Sequence, residues 1–194
     1  EAEIYNSNFK KILIPMYGRI IHDINGEQSF QAYGNKKKHF INSVSRSEIN
    51  KILLDKAEST NLVSINFSSK CTDINLDKNY LSINGGKKDL KEPVFGADGY
   101  KSIIAKKITR NLRCHDIEHC YKELTIKSKN NEFQIEPNAL HIWPRRDMML
   151  IALPNNDKTF TCTLFMKKSG IDSFETLKTK KEILSFFNKN FTDI

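Results

Sequence analysis

Between Pro137 and Met166 the chain sets three apolar runs apart with two polar, turn-forming breaks. The runs are Ala139–Trp143, Met148–Leu153 and Phe160–Met166; the breaks are Pro144–Asp147 and Pro154–Lys158. Short apolar runs bounded by Pro, Asn and Asp predict an antiparallel three-stranded meander. Side chains alternate along a strand, so Leu140 and Ile142, then Met149, Ile151 and Leu153, then Thr161, Thr163 and Phe165 fall on one face. An apolar wall carrying a few polar atoms suits a flat aromatic ligand, although an ordinary core sheet carries the same pattern.

The rest of the chain alternates strand and helix signals. Lys10–Tyr33 predicts a hairpin around an Asn25-Gly26 turn. A strict two-residue turn there pairs Arg19 with Ala32 and puts Arg19 and Tyr33 on opposite faces, whereas a three-residue loop or a bulge sets them opposite each other. Ser45–Thr60 predicts a helix, with Ser45 and Glu48 as a capping box and Ile49, Ile52, Leu53 and Ala57 as its apolar stripe. Val63–Phe67 predicts a short strand, and Thr72–Ile83 a strand pair ending at Gly85-Gly86. A strand over Glu92–Phe95 then leads through Gly96-Ala97-Asp98-Gly99 into a helix from Tyr100 to Ile108, a layout whose helix N-terminus points backbone N–H groups at an anion. Tyr121–Ile126 predicts a strand, and Ser173–Phe191 an amphipathic helix carrying Phe174, Leu177, Ile183, Leu184, Phe187 and Phe191. The class is α/β tending to α+β.

Composition narrows the picture. The 194 residues suffice for one substantial core or two small ones, and 28% charged with 39% hydrophobic residues predicts a soluble globular chain. No apolar run approaches the roughly 20 residues that span a bilayer, and the polar start at Glu1–Lys10 has no secretory core. The formal charge of +8 raises the question of nucleic acid or an anionic membrane. The lysines are scattered, however (Lys36–Lys38, Lys87–Lys88, Lys106–Lys107, Lys167–Lys168, Lys180–Lys181), and no recognition signature accompanies them. They are expected to form a solvated surface whose field helps collect an anionic cofactor. Cys71, Cys114, Cys120 and Cys162 form no disulfide framework and are expected as free thiols. His115 and His119 are spaced as zinc ligands sometimes are, but Cys114 and Cys120 lack the usual pairing, and no metal is expected.

A dinucleotide-binding βαβ unit needs a Gly-rich turn after its first strand. The glycines stand at 18, 26, 34, 85, 86, 96, 99 and 170, and none fits that spacing.

Six segments, in order, carry a resemblance: Ile14–His22 (IPMYGRIIH), Gln31–Gly34 (QAYG), Ser43–Leu54 (SVSRSEINKILL), Gly96–Gly99 (GADG), Tyr121–Ile126 (YKELTI) and the meander. Across nearly its whole length the chain resembles the kynurenine 3-monooxygenase family of flavin-dependent aromatic hydroxylases. That family carries a Gly-rich βαβ unit upstream and a second flavin motif downstream, so the resemblance implies a central portion lacking both. It implies part of an FAD-binding Rossmann-like domain with an antiparallel substrate sheet: 1–44 a substrate-domain hairpin, 45–110 part of the FAD domain, and 111–194 the substrate sheet with a C-terminal helix. The implied activity is FAD-dependent, NADPH-using hydroxylation of L-kynurenine to 3-hydroxykynurenine with O2, in tryptophan catabolism and NAD biosynthesis. The portion alone is expected to be inactive.

The resemblance also implies roles. Arg19 matches the arginine that grips the substrate carboxylate, a job for a two-pronged guanidinium, and Tyr33 adds a hydroxyl contact. Ile41, Leu140, Ile151, Leu153 and Phe165 match the ring pocket. Arg46 matches a flavin-contacting arginine, Cys71 a backbone contact to the cofactor, and Asp98 with Gly99 the Asp-Gly motif tied to FAD pyrophosphate and NADPH. The flavin carries the chemistry, so no catalytic side chain is implied. Phe95 stands where the family has a smaller aliphatic residue, and Arg145-Arg146-Asp147 makes an unusually charged turn. The implied location is cytoplasmic in a bacterium and the mitochondrial outer membrane in a eukaryote, with membrane contact only through segments outside this chain. A sister flavin monooxygenase for another aromatic acid, or a non-catalytic basic binding module, are the alternatives.

Overall fold

The structure is a computed structural model that describes Tyr5 and residues 7–34, 38–109 and 112–194; part of the Lys36–Lys38 cluster lies outside these. In chain order the elements are α1 (Ser7–Lys10), β1 (Ile14–Met16), β2 (Gly18–His22), β3 (Gln28–Ala32), β4 (Ile41–Ser43), α2 (Arg46–Glu58), β5 (Cys71–Asn75), β6 (Tyr80–Ile83), β7 (Gly86–Asp89), α3 (Ile103–Ile108), β8 (His119–Ile126), β9 (Leu140–Arg145), β10 (Met148–Pro154), β11 (Phe160–Lys167) and α4 (Lys180–Asn190). The fold is mixed α and β. Its chain divides into two compact units, one of residues 1–59 with 117–194 and the other of residues 60–116. No helix among the described residues is long and apolar enough to cross a membrane.

The first unit is built on a six-stranded sheet of order β3-β2-β9-β10-β11-β8. The meander forms as the alternation predicts, with Ile151 opposite both Ile142 and Thr163. One face is the core: Trp143, Leu150, Ala152, Phe160, Cys162, Leu164 and Met166 pack against Phe186 and Phe191. The C-terminal helix is shorter than expected. A 3-10 turn at Phe174–Thr176 stops before α4, because Thr179 and Glu182 form a reciprocal capping box that starts a new helix there.

The early hairpin turns on three residues. Asp23 N–H donates to the Glu27 carbonyl, Asp23 Oδ1 accepts from the Asn25 and Glu27 N–H groups, and Gly26 takes φ +87°, the left-handed position that closes such a loop. The register sets Arg19 opposite Gln31, neither of the pairings considered from the sequence. Strand β2 then joins the meander in parallel, with Arg19 beside Leu140 and Ile21 beside Ile142. β4 pairs with β1 and leads into α2, whose N-cap Ser45 accepts from Glu48 N–H. No α2 residue is fully buried, and Leu53 of the expected stripe stays 41% exposed.

The second unit holds a three-stranded meander, β5-β6-β7, rather than the expected pair. Asn84 (φ +49°) and Gly85 (φ +84°) make the tight turn, and Gly86 opens β7 instead of ending the sheet. Lys107 of α3 pairs with Asp73 of β5 at 3.0 Å. Val63–Phe67 and Glu92–Phe95 are not strands. A strand exists only through hydrogen bonds to a neighbouring strand, and no strand pairs with either run among the described residues; Phe67 is 70% and Phe95 91% exposed. The helix expected from Tyr100 begins at Ile103, because Ser102 caps it and accepts from Ala105 N–H.

Candidate active site

The second face of the six-stranded sheet is open. It carries Leu140 and Ile142 of β9, Met149, Ile151 and Leu153 of β10, and Thr161, Thr163 and Phe165 of β11, all half-buried or exposed. The four meander residues expected in a ring pocket, Leu140, Ile151, Leu153 and Phe165, therefore share this face. Thr161 to Phe165 spans about 13 Å of strand. Ile41 sits on β4 opposite Met16 and is 46% exposed.

Arg19 reaches the same face from β2. Tyr33 lies two residues beyond Gln31, Arg19's partner, so the two side chains stand diagonally on one side, with the guanidinium carbon 6.0 Å from the ring centre. The Tyr33 hydroxyl is buried and has no hydrogen-bond partner among the described residues. Burial raises its pKa, with the Arg19 charge opposing. Arg19 has no carboxylate within ion-pair distance among the described residues. An unpaired buried hydroxyl costs about 1–3 kcal/mol. A buried hydroxyl without a partner and an exposed guanidinium without an ionic partner, set side by side at the border of an apolar face, suit one shared acceptor, and a carboxylate supplies it bidentately.

Farther across the sheet, the start of α2 overhangs a cleft of about 700 Å³. Ile151, Leu153, Thr161 and Thr163 line it together with Ser43–Ser47, Asn50 and Glu123. Ser43 fixes the wall, its buried hydroxyl donating to the Pro154 carbonyl at 2.8 Å. Arg46, in the first turn of α2, is exposed and has no ionic partner among the described residues. A cation at the positive end of a helix gains from an added anion, so this position fits a phosphate or the electron-rich edge of a flavin.

The remaining cofactor candidates lie in the second unit. Asp98 accepts from the Ser102 hydroxyl at 2.6 Å and from Ile103 N–H at 2.7 Å, which holds its carboxyl below the ordinary value. Its carboxylate thus occupies the donors of α3 that an incoming anion would need. Gly99 follows at φ +73°, and Cys71 opens β5, its thiol facing the Asp73 carbonyl at 3.6 Å. Sequence reasoning missed Glu123, although the period-two pattern of YKELTI already sets Tyr121, Glu123 and Thr125 on one face. It also missed the polar group beneath the open face, formed by the buried His22, His141 and Arg145 with the partly exposed Asp193. No local pattern marks that group, because its members lie up to 171 positions apart.

No family model matches the chain. Among solved structures, a flavoprotein/dehydrogenase from Cytophaga hutchinsonii superposes with a TM-score of 0.67 at 10% identity, over 97% of this chain and 48% of that one. CmlS, a flavin-dependent halogenase, gives 0.57 at 15% identity over 86% and 32%. The fold is that of the flavoprotein aromatic hydroxylases. In sequence, kynurenine 3-monooxygenase of Cytophaga hutchinsonii is 42% identical over 192 residues, and that of Myxococcus xanthus 38% over 193; each match covers 94% of this chain. The chain belongs to the kynurenine 3-monooxygenase family, and it spans 42% of the length of these two relatives.

Proposed function

We propose that the chain is the substrate-facing portion of a flavin-dependent monooxygenase that hydroxylates L-kynurenine to 3-hydroxykynurenine, using FAD, NADPH and O2, in tryptophan catabolism and pyridine nucleotide biosynthesis. The observation that carries this reading is the partnerless buried Tyr33 hydroxyl beside the exposed, unpaired Arg19 guanidinium at the border of an apolar sheet face. Arg19 and Tyr33 take the substrate carboxylate. Leu140, Ile151, Leu153 and Phe165, with Ile41, hold the ring and exclude water, which strengthens the polar contacts at the anchor. FAD, when bound, supplies the oxygen-activating chemistry; Arg46 contacts it, with Cys71, Asp98 and Gly99 toward the phosphates and NADPH. Residues 1–44 and 111–194 form the substrate side and 45–110 part of the flavin side. Lacking a Gly-rich βαβ unit, the 194 residues alone neither retain FAD nor hydroxylate kynurenine.

Arg19→Ala in the full-length enzyme tests the anchor. Losing a charge-assisted hydrogen-bonding partner costs about 1.5–3 kcal/mol, roughly a 10- to 150-fold weaker apparent affinity for kynurenine. Flavin content should hold. Unchanged kynurenine affinity in that variant refutes the assignment, and a wild-type enzyme that turns over a different aromatic acid but not kynurenine replaces it with the sister-enzyme reading.

A further inference from the structure

Beneath Arg19 and Leu140, on the core face of the same two strands, a chain of contacts crosses the β2–β9 junction. Asp193 Oδ2 meets His22 Nδ1 at 2.5 Å, His22 Nε2 meets His141 Nδ1 at 2.8 Å, and His141 Nε2 meets the Glu136 carbonyl at 2.7 Å. Both imidazoles are 1% exposed. The two ends of this chain are acceptors, so three hydrogen bonds need three protons, and two neutral imidazoles bring only two. Trp143 Nε1–H donates to both Asp193 oxygens, at 3.0 and 3.2 Å, and its indole stacks on His22 at 4.0 Å. That donation favours an ionised carboxylate, so the third proton belongs to the imidazoles. A fourth is excluded, because it would set N–H against N–H between the rings.

The pair bridges the one parallel junction of the sheet, where only three residue pairs join β2 to β9. On one side of that junction lies the hairpin with Arg19 and Tyr33; on the other lies the apolar meander. We infer that His22 and His141 bind a single shared proton, balanced by Asp193, and that this loaded bridge positions the Arg19 anchor against the ring-binding face. The positioning role rests on the function proposed above; the proton count does not. The charged groups facing the pair are Asp193 after α4, Glu136 before β9 and Arg145 on β9. Arg145 donates to the His22, Asp23, Pro144 and Asn190 carbonyls. Burial lowers both imidazole pKa values, opposed at His22 by its hydrogen bond to Asp193. Once the third proton leaves, one link becomes two facing lone pairs and opens.

Histidine ring nitrogen shifts, measured by NMR across pH 4.5–8.5 in the holoenzyme and assigned with His22→Gln and His141→Gln, read the proton count. The expected result is uptake of one proton by the pair, three of its four ring nitrogens being protonated at the acid end. Two or four protonated nitrogens there overturn the inference. The kynurenine KM should rise as pH rises through that same midpoint while kcat changes little. Asp193→Asn, nearly isosteric, should move the midpoint and the KM step together to lower pH, by about one unit or more. A KM step that stays in place in Asp193→Asn overturns the positioning role. If kynurenine fails to bind the wild type at every pH, the functional reading and the positioning role fall together, and the nitrogen shifts still decide the proton count.

Discussion

Replacing Tyr33 by Phe removes one oxygen atom and should have opposite effects on stability and on binding. The Tyr33 hydroxyl is buried without a partner among the described residues. Such a group has lost its water hydrogen bonds and gained none, a cost of about 1–3 kcal/mol that Phe does not incur. Against that stands the favourable field of Arg19, 6.0 Å from the ring, on the hydroxyl's dipole. The net expectation for Tyr33→Phe is stability unchanged or raised by up to about 1 kcal/mol. Binding should move the other way. A hydrogen bond to a charged carboxylate is worth about 1.5–3 kcal/mol, which predicts a roughly 10- to 150-fold weaker kynurenine affinity. The assays are urea unfolding for stability and kynurenine titration of the flavin-loaded enzyme for affinity. If Tyr33→Phe destabilises the protein by more than about 1 kcal/mol, the hydroxyl has a protein partner and is no substrate donor. If affinity survives intact, the hydroxyl faces something other than the carboxylate.

Other expectations follow from the same geometry. Phe160 is fully buried between Phe133 and His141, so Phe160→Ala should cost about 3–5 kcal/mol in denaturant unfolding. Asp98 has its carboxyl pKa lowered by the hydrogen bonds that cap α3. Its contribution is therefore fully present above the ordinary carboxylate value and lost as pH falls through the lowered one. Hydrogen exchange of the α3 amides should accelerate in that acid range, and Asp98→Asn should flatten the dependence. Cys162 is buried, with its thiol pushed up to about 11, while Cys114 is exposed. Iodoacetamide at pH 8, followed by mass spectrometry, should label Cys114 readily and Cys162 only after unfolding.

What the sequence determined by itself was local. The alternation from Leu140 to Phe165 was enough to sort residues between two faces, because a strand's period of two leaves no third choice. The Ser45 cap on Glu48 N–H is made by neighbours and was legible for that reason; the Thr179–Glu182 box and the Asn84-Gly85 turn are as local but went unread, and they shortened the last helix and added a third strand. The quoted motifs, read as a resemblance, were enough for the family. What only the tertiary structure decided was long-range. Val63–Phe67 and Glu92–Phe95 look like strands, but a strand depends on partners that sequence does not supply. The hairpin register turned on how Asp23 satisfied the Asn25 and Glu27 amides, and the register so fixed puts Arg19 and Tyr33 diagonally on one side. The parallel docking of β2 on β9 brings residues more than a hundred positions apart within hydrogen-bonding range. His22, His141 and Asp193 carry no motif. Their chemistry comes from burial and from being set end to end between two acceptors, conditions that exist only once the chain has folded.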